Sequence, residues 1–292
     1  MRVSESMIYD VARARLSDQA TTVQTLTTQL SSGKQLNQPS DNPADVRSAV
    51  GLNDLLAQLD QYGRNIDSVT NTLSAMDTAL SSAGSLIQRA NELAIQGANG
   101  TLGTSDRQAM ADEVEQLAEA MAQDANAKVG DNYIFSGFKT STQPYQVTSS
   151  GQVSAYQGDH GVVLARVGPS ATMQVSLAGD TAFQPALDAL AQLQSDLKSG
   201  QPVSQSTIAQ IQGGLQSLTE AQATVGAREN RLANAKTSQQ NLVDANQRLL
   251  SQLEDVDMPT AITELAQAQT TYQATLAVTA KVMQTSLMDY LK

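Results

Sequence analysis

The chain has 292 residues, 18 of them basic and 29 acidic, for a formal net charge of −11. It contains no cysteine, no tryptophan and one histidine, His160. Disulfides and thiol chemistry are thereby excluded, a multi-histidine metal site or a Ser-His-Asp triad has almost nothing to be built from, and so acidic a protein is a poor partner for nucleic acid or an anionic membrane.

The opening MRVSESMIYD has no basic region followed by an apolar run, so no cleaved secretory signal is expected. No stretch approaches the ~18 apolar residues of a membrane span. Leu16, Val23, Leu26 and Leu30 then fall on one helical stripe. From Gln19 to Ser32 there is no ionisable residue.

A long heptad seam follows. Leu52, Leu55, Leu59, Tyr62, Ile66, Val69, Leu73, Met76, Leu80, Ala83, Ile87, Ala90 and Ala94 step by threes and fours, as a coiled-coil helix requires. Asn42 is placed to cap it, Pro43 to fill its first turn and Asp45 to face the positive end of its dipole. Gly97 and Gly100 mark its end. A helix of that length is roughly 80 Å long, more than a compact domain needs. A second helix is expected near Ser105, with Gln108 completing a capping box and Met110, Val114, Leu117 and Met121 as its seam.

The texture changes between Tyr133 and Gln184. Glycines and prolines punctuate short β-type runs, including a Val-rich segment after Gly161 and an alternating one from Thr172 to Leu177. A small β-rich domain is expected there, with Tyr133, Ile134, Phe135 and Phe138 as an aromatic joint to the helices. Helices resume near Ala186, turn at Gly200 and Pro202, and run from Ser204 to about Val256. Leu242, Leu249, Leu253 and Val256 form a seam in the second half, Gly213, Gly214 and Gly226 interrupt the first, and Pro259 ends the run. The C-terminal stripe comprises Ile262, Leu265, Tyr272, Leu276, Met283 and Leu287. No Asp, Glu, Lys, Arg or His lies between Leu265 and Ala280.

The expected fold is mainly α: a long coiled-coil-like rod, paired terminal helices, and a small β-rich insertion at the tip. The expected domains are 1–33 with 260–292, then 34–135 with 185–259, then 136–184. Both ends flank narrow apolar stripes with neutral amides and hydroxyls, which can be buried without desolvating an ion. Either these ends order on packing with neighbouring copies, or they form a plain intramolecular helix pair. The ten stripe residues are the candidate subunit interface. His160 reads as an exposed loop residue, and Glu254, Asp255 and Asp257 as solvated acids. No catalytic, metal or cofactor site is expected.

Several segments resemble a known family. LSSGKQLNQPSDNPAD, GANGTLGTSDRQAMADEV, DNYIFSGFKTSTQPY and the C-terminal segment from Asp255 to Lys292 are similar to bacterial flagellins and their relatives, and most to the proteins of the flagellar hook–filament junction. The resemblance implies an extracellular structural subunit, exported through the flagellar type III channel with an uncleaved signal. It also implies helical self-assembly with eleven-fold character into a ring, with the first hook-associated protein on one side and flagellin on the other. Before secretion an export chaperone would hold the C-terminal helix. Filament flagellin itself, and a signalling helical bundle from a different class, are the alternative readings.

Overall fold

A computed structural model describes residues 5–148 and 151–290, with side chains described for 7, 9–148 and 151–281. The protein is mainly helical: α1 Glu5–Ser32, α2 Pro43–Gly97, α3 Thr104–Ala125, α4 Gly179–Lys198, α5 Gln205–Glu254 and α6 Met258–Tyr290. It divides into two compact units, one of residues 1–58 and 242–292, the other of residues 59–241.

The second unit is built on the α2 seam. From Leu59 to Ala94 every seam position is buried, and Ile66, Leu73, Met76 and Ile87 have no exposure at all. The antiparallel partner is α5, tied on by Lys236 to Asp67 (2.8 Å) and by Gln239 Nε2 to the Leu59 carbonyl (2.9 Å). Met110, Val114 and Met121 of α3 and Phe183, Leu190 and Leu193 of α4 join the same core.

On α5 the buried positions are Thr207, Ile211, Gly214, Leu218, Ala221, Val225 and Leu232. These keep one heptad register, with half-buried Arg228 at the position between Val225 and Leu232, in place of the slipping frame expected. Thr207 and Gly214 are seam residues that an apolar count passes over. A Cβ on Gly214 would sit 2.7 Å from Ala186 Cα, so this glycine lets α4 approach. Thr207 fits because its hydroxyl bonds Asp196 Oδ2 and contacts Ser204 Oγ.

Several expected boundaries move. Asn42 does cap α2, its Oδ1 accepting from the amides of Ala44 and Asp45 at 3.2 and 3.3 Å. The α3 cap is different: Gly103 is the cap residue and no side group bonds there, so the Ser105–Gln108 box does not form. α4 starts at Gly179, earlier than expected, with Pro185 inside it. Pro185 lies in the second turn of α4, where it removes the N–H that would otherwise bond the Thr181 carbonyl. α5 ends at Glu254, and Pro259 opens α6 instead of closing α5, as suits a first-turn proline. Gly97 ends α2 without a positive φ. Its lack of a Cβ admits Val203 and Leu197, which would stand 2.7 and 3.0 Å from one.

Among the described residues the β content is slight. β1 (Lys128–Val129) pairs antiparallel with β2 (Asn132–Tyr133), and β3 (Leu164–Arg166) with β4 (Thr172–Gln174). Isolated bridges join Val147 to Val153 and, in the other unit, Lys34 to Asp255. Elsewhere in 136–178 scattered backbone bonds, such as Ser154 N to Gln146 O (2.8 Å) and Gln157 N to Pro144 O (2.9 Å), are joined by side-chain ones. Asp159 Oδ1 takes the amides of Phe138 (2.7 Å) and Gly161 (2.8 Å), and these bonds hold its carboxyl below the usual carboxylate range. Ser176 Oγ bridges the Val163 amide and the Gly161 carbonyl.

Candidate assembly surface

Within the first unit, α1 and α6 form an antiparallel pair. Gln19 Nε2 donates to the Ala268 carbonyl (3.4 Å). At one end the pair is pinned by Val256 N to Gly33 O (3.0 Å) and Gln35 N to Glu254 O (2.6 Å). Gly33 takes a φ of 72°, the left-handed conformation that glycine adopts freely after a helix. Lys34 pairs with Glu254, and that hydrogen bond holds the ammonium pKa above its ordinary value. Asp41 Oδ2 gathers the amides of Asn37 (3.0 Å) and Gln38 (2.8 Å). The segment between α1 and α2 is therefore folded by its own polar side chains.

Each helix turns a heptad line toward the other. On α1 this line is Ala12, Leu16, Gln19, Val23, Leu26 and Leu30, all half-buried. On α6 it is Ala261, Leu265, Ala268, Tyr272, Thr275 and Thr279, of which Ala261 and Ala268 are buried. Four stripe residues of α1 and two of α6, Leu265 and Tyr272, thus come together inside one molecule. Ile262 and Leu276 do not. They point outward, Ile262 at 56% exposure, and Val278 (62%) joins them. Met283 and Leu287 lie outside the residues whose side chains are described. The seam alanines were missed because a search for large apolar residues skips them. Their spacing from Leu265 and Tyr272, in steps of three and four, was the available signal.

The outward faces have an unusual chemistry. Thr21, Thr22, Thr27 and Thr28 each donate their hydroxyl to the carbonyl four residues back, at 2.7–3.0 Å. Thr263, Thr270 and Thr271 of α6 do the same, each at 2.9 Å. A threonine bonded this way has spent its proton on its own helix and turns its methyl outward. These faces carry no ions from Gln19 to Ser32, and these threonine hydroxyls are already satisfied. They can be dehydrated cheaply. A groove of about 830 Å³ lies between the helices, with Met7, Val11, Arg15 and Asp18 on one wall and Ala274 and Val278 on the other.

In the second unit α5 projects toward the aromatic segment through Arg228, which donates to the Ser176 carbonyl (3.0 Å). Ile134 and Phe135 are buried, and Phe135 meets Phe183 edge-on with centroids 4.9 Å apart. Tyr133 is half-buried under Lys128 Nζ, 4.2 Å from its ring centroid. Phe138 is not part of this joint. It is 65% exposed, because Gly137, at a φ of 69°, turns the backbone away and its ring lies over Gly161. The joint instead uses Tyr145 and Tyr156. Tyr156 Oη lies 2.8 Å from Phe135 O and 2.9 Å from Asp159 O. Its burial pushes the phenol up to about 12. Tyr145 is fully buried, its backbone gripped on both sides by the Asn126 amide group at 2.7 and 2.9 Å. Neither tyrosine stood out by pattern, since isolated aromatics in a glycine-rich run have no periodicity.

His160 lies 3.2 Å from Asp180 and is largely exposed. Among the described residues no group of three or more His, Asp or Glu side chains is placed to hold a metal ion.

Comparison with known proteins matches residues 3–140 to the bacterial flagellin N-terminal helical region and residues 208–291 to the bacterial flagellin C-terminal helical region. The flagellar hook-associated protein 3 of Salmonella typhimurium is 30% identical over 184 residues, covering 63% of this chain and 57% of that protein. The chain thus spans little more than half the length of that relative. A flagellin of Halalkalibacterium halodurans is 26% identical over 260 residues, covering 87% of this chain and 86% of its own. The crystal structure of flagellar hook-associated protein-3 from Legionella pneumophila superposes with a TM-score of 0.63 at 17% identity, over 69% of this chain and 98% of that one. That likeness is one of fold.

Proposed function

The chain belongs to the bacterial flagellin family, and from that premise we propose that it is a structural subunit of the hook–filament junction, polymerising through its terminal helices. The observation that carries the reading is the face of α1 and α6: ion-free over long stretches, its threonine hydroxyls already satisfied, with Ile262, Leu276 and Val278 exposed. A protein with a net charge of −11 repels its own copies, so contact between copies belongs where charge is absent. Burial of each exposed Ile, Leu or Val there contributes about 1.5–3 kcal/mol.

In this reading, 1–33 with 260–292 form the assembly region, 34–135 with 185–259 the helical body, and 136–184 the outer segment. Copies form a ring that meets the first hook-associated protein on one side and flagellin on the other. The protein leaves the cell through the flagellar type III channel without cleavage, its C-terminal helix held beforehand by an export chaperone. A strain lacking the gene is expected to make hooks without filaments and to shed flagellin into the medium. Normal filaments in that strain would overturn the proposal. Deleting residues 283–292 should likewise abolish filament attachment while leaving the second unit folded.

Filament flagellin is the second reading, favoured by a flagellin match that spans most of both proteins. Copy number separates the two: a few per flagellum for a junction ring, thousands for a filament.

A further inference from the structure

The turn after α2 contains the sequence Asn99-Gly100, which occurs nowhere else in the protein. Three features of its surroundings bear on the chemistry of that bond. Asn99 Oδ1 accepts two hydrogen bonds from Thr101, from the amide at 3.1 Å and the hydroxyl at 2.9 Å. The Gly100 amide has no acceptor among the described residues, and nothing stands within 4 Å of where a Cβ would be. The backbone carbonyl of Asn99 accepts from Arg107 Nη2 at 3.0 Å. Arg107 itself is 3% exposed, and its other acceptors are the neutral carbonyls of Gly97 and Gln201, both at 2.9 Å.

We propose that Asn99-Gly100 is a self-modification site that converts to isoaspartate, with Arg107 selecting that product. The exposed Gly100 nitrogen gives its proton to solvent and bonds to Asn99 Cγ. The two Thr101 donors polarise that carbonyl and hold the negative charge that develops on Oδ1, as preorganised donors do. The Cγ–Nδ2 bond breaks, ammonia leaves, and a five-membered imide remains. Water then opens the imide at either carbonyl carbon. Arg107 polarises one of them, the former backbone carbonyl of Asn99. Attack there breaks that carbon's bond to the Gly100 nitrogen and leaves the peptide link running through Cγ. The oxygen that Arg107 binds becomes part of a carboxylate. A buried guanidinium surrounded by neutral carbonyls thereby gains a counter-ion, which favours this direction of opening. No oxidant or reductant enters, and water is the sole co-reactant.

The test is peptide mapping of the full-length protein after incubation at mildly alkaline pH in heavy-oxygen water. Asn99 should convert faster than exposed asparagines such as Asn37 and Asn241, taking up one solvent oxygen. Gly100→Ala should slow conversion about tenfold or more, because a Cβ crowds the attacking nitrogen, and Thr101→Val should slow it several-fold. The isoaspartate-to-aspartate ratio should be higher in the native protein than in the same protein unfolded in urea, and should fall in Arg107→Lys. Equal ratios in the native and unfolded states would overturn the role of Arg107. Conversion of Asn99 no faster than Asn37, or unaltered in Thr101→Val, would overturn the site itself.

Discussion

Single side chains in this protein carry costs that the surrounding fold tolerates. The Tyr145 hydroxyl is buried with no hydrogen-bond partner among the described residues, and burial raises its pKa. An unsatisfied buried hydroxyl costs about 1–3 kcal/mol. Tyr145→Phe is therefore expected to raise the stability of the second unit by about 1 kcal/mol, read as a higher denaturation midpoint. Asp124 is a second case. Burial raises its carboxyl above the ordinary range, against a lowering hydrogen bond from Ser82, and its Oδ2 has no partner among the described residues. A raised pKa means that the folded protein holds this proton more tightly than the unfolded one. Stability is then greater at low pH and falls as pH rises from the unfolded value through the folded one. Asp124→Asn should remove that slope and stabilise the protein at neutral pH. Urea unfolding across pH measures both effects, and a variant less stable than the parent at pH 7 would contradict them.

At the scale of elements, the helix glycines separate propensity from packing. Gly213, Gly214 and Gly226 all lie within α5. A Cβ at Gly213 or Gly226 meets nothing within 4 Å, whereas at Gly214 it meets Ala186 backbone at 2.7 Å. Alanine at an exposed helical glycine gains about 0.5–1 kcal/mol. Gly213→Ala and Gly226→Ala should each raise the melting temperature, and Gly214→Ala should lower it by wedging α4 from α5. The α2 seam gives the conventional contrast: Leu73, with no exposure, should cost about 2–5 kcal/mol as alanine. The apolar frame was legible along α2 because large residues mark it from Leu59 onward. It failed at Leu55, which is exposed while Leu56 is half-buried, and at Leu242 and Leu249, which are exposed while Val243, Leu250 and Leu253 are half-buried. Adjacent leucines satisfy two registers equally, and the partner helix chooses between them.

For the molecule as a whole, the proposed assembly has a charge signature. Contact through neutral faces between copies that each bear −11 should strengthen as salt screens the repulsion between them, whereas an interface of ion pairs would weaken. Sedimentation at increasing ionic strength separates the two. The outward threonines sharpen the test. Thr22 and Thr271 present methyls because their hydroxyls bond the Asp18 and Gln267 carbonyls, each four residues back on its own helix. Thr22→Val and Thr271→Val should leave assembly intact, and lysine at either position should abolish it while leaving the second unit's melting transition unchanged.

The sequence alone determined the helical class, the length of α2, the neutral stretches at both ends and, through its family segments, membership of the bacterial flagellin family. Those properties are periodic or compositional, and each is written in many residues at once. Only the tertiary structure decided which face of α6 turns to α1, that Gly214 and Thr207 are core positions, that Phe138 leaves the joint to Tyr145 and Tyr156, and that Arg107 is buried on three carbonyls. In each of these a small or polar residue is placed by its neighbour across the helix pair or turn. Close packing and hydrogen-bond satisfaction depend on the partner's atoms, which no local pattern contains.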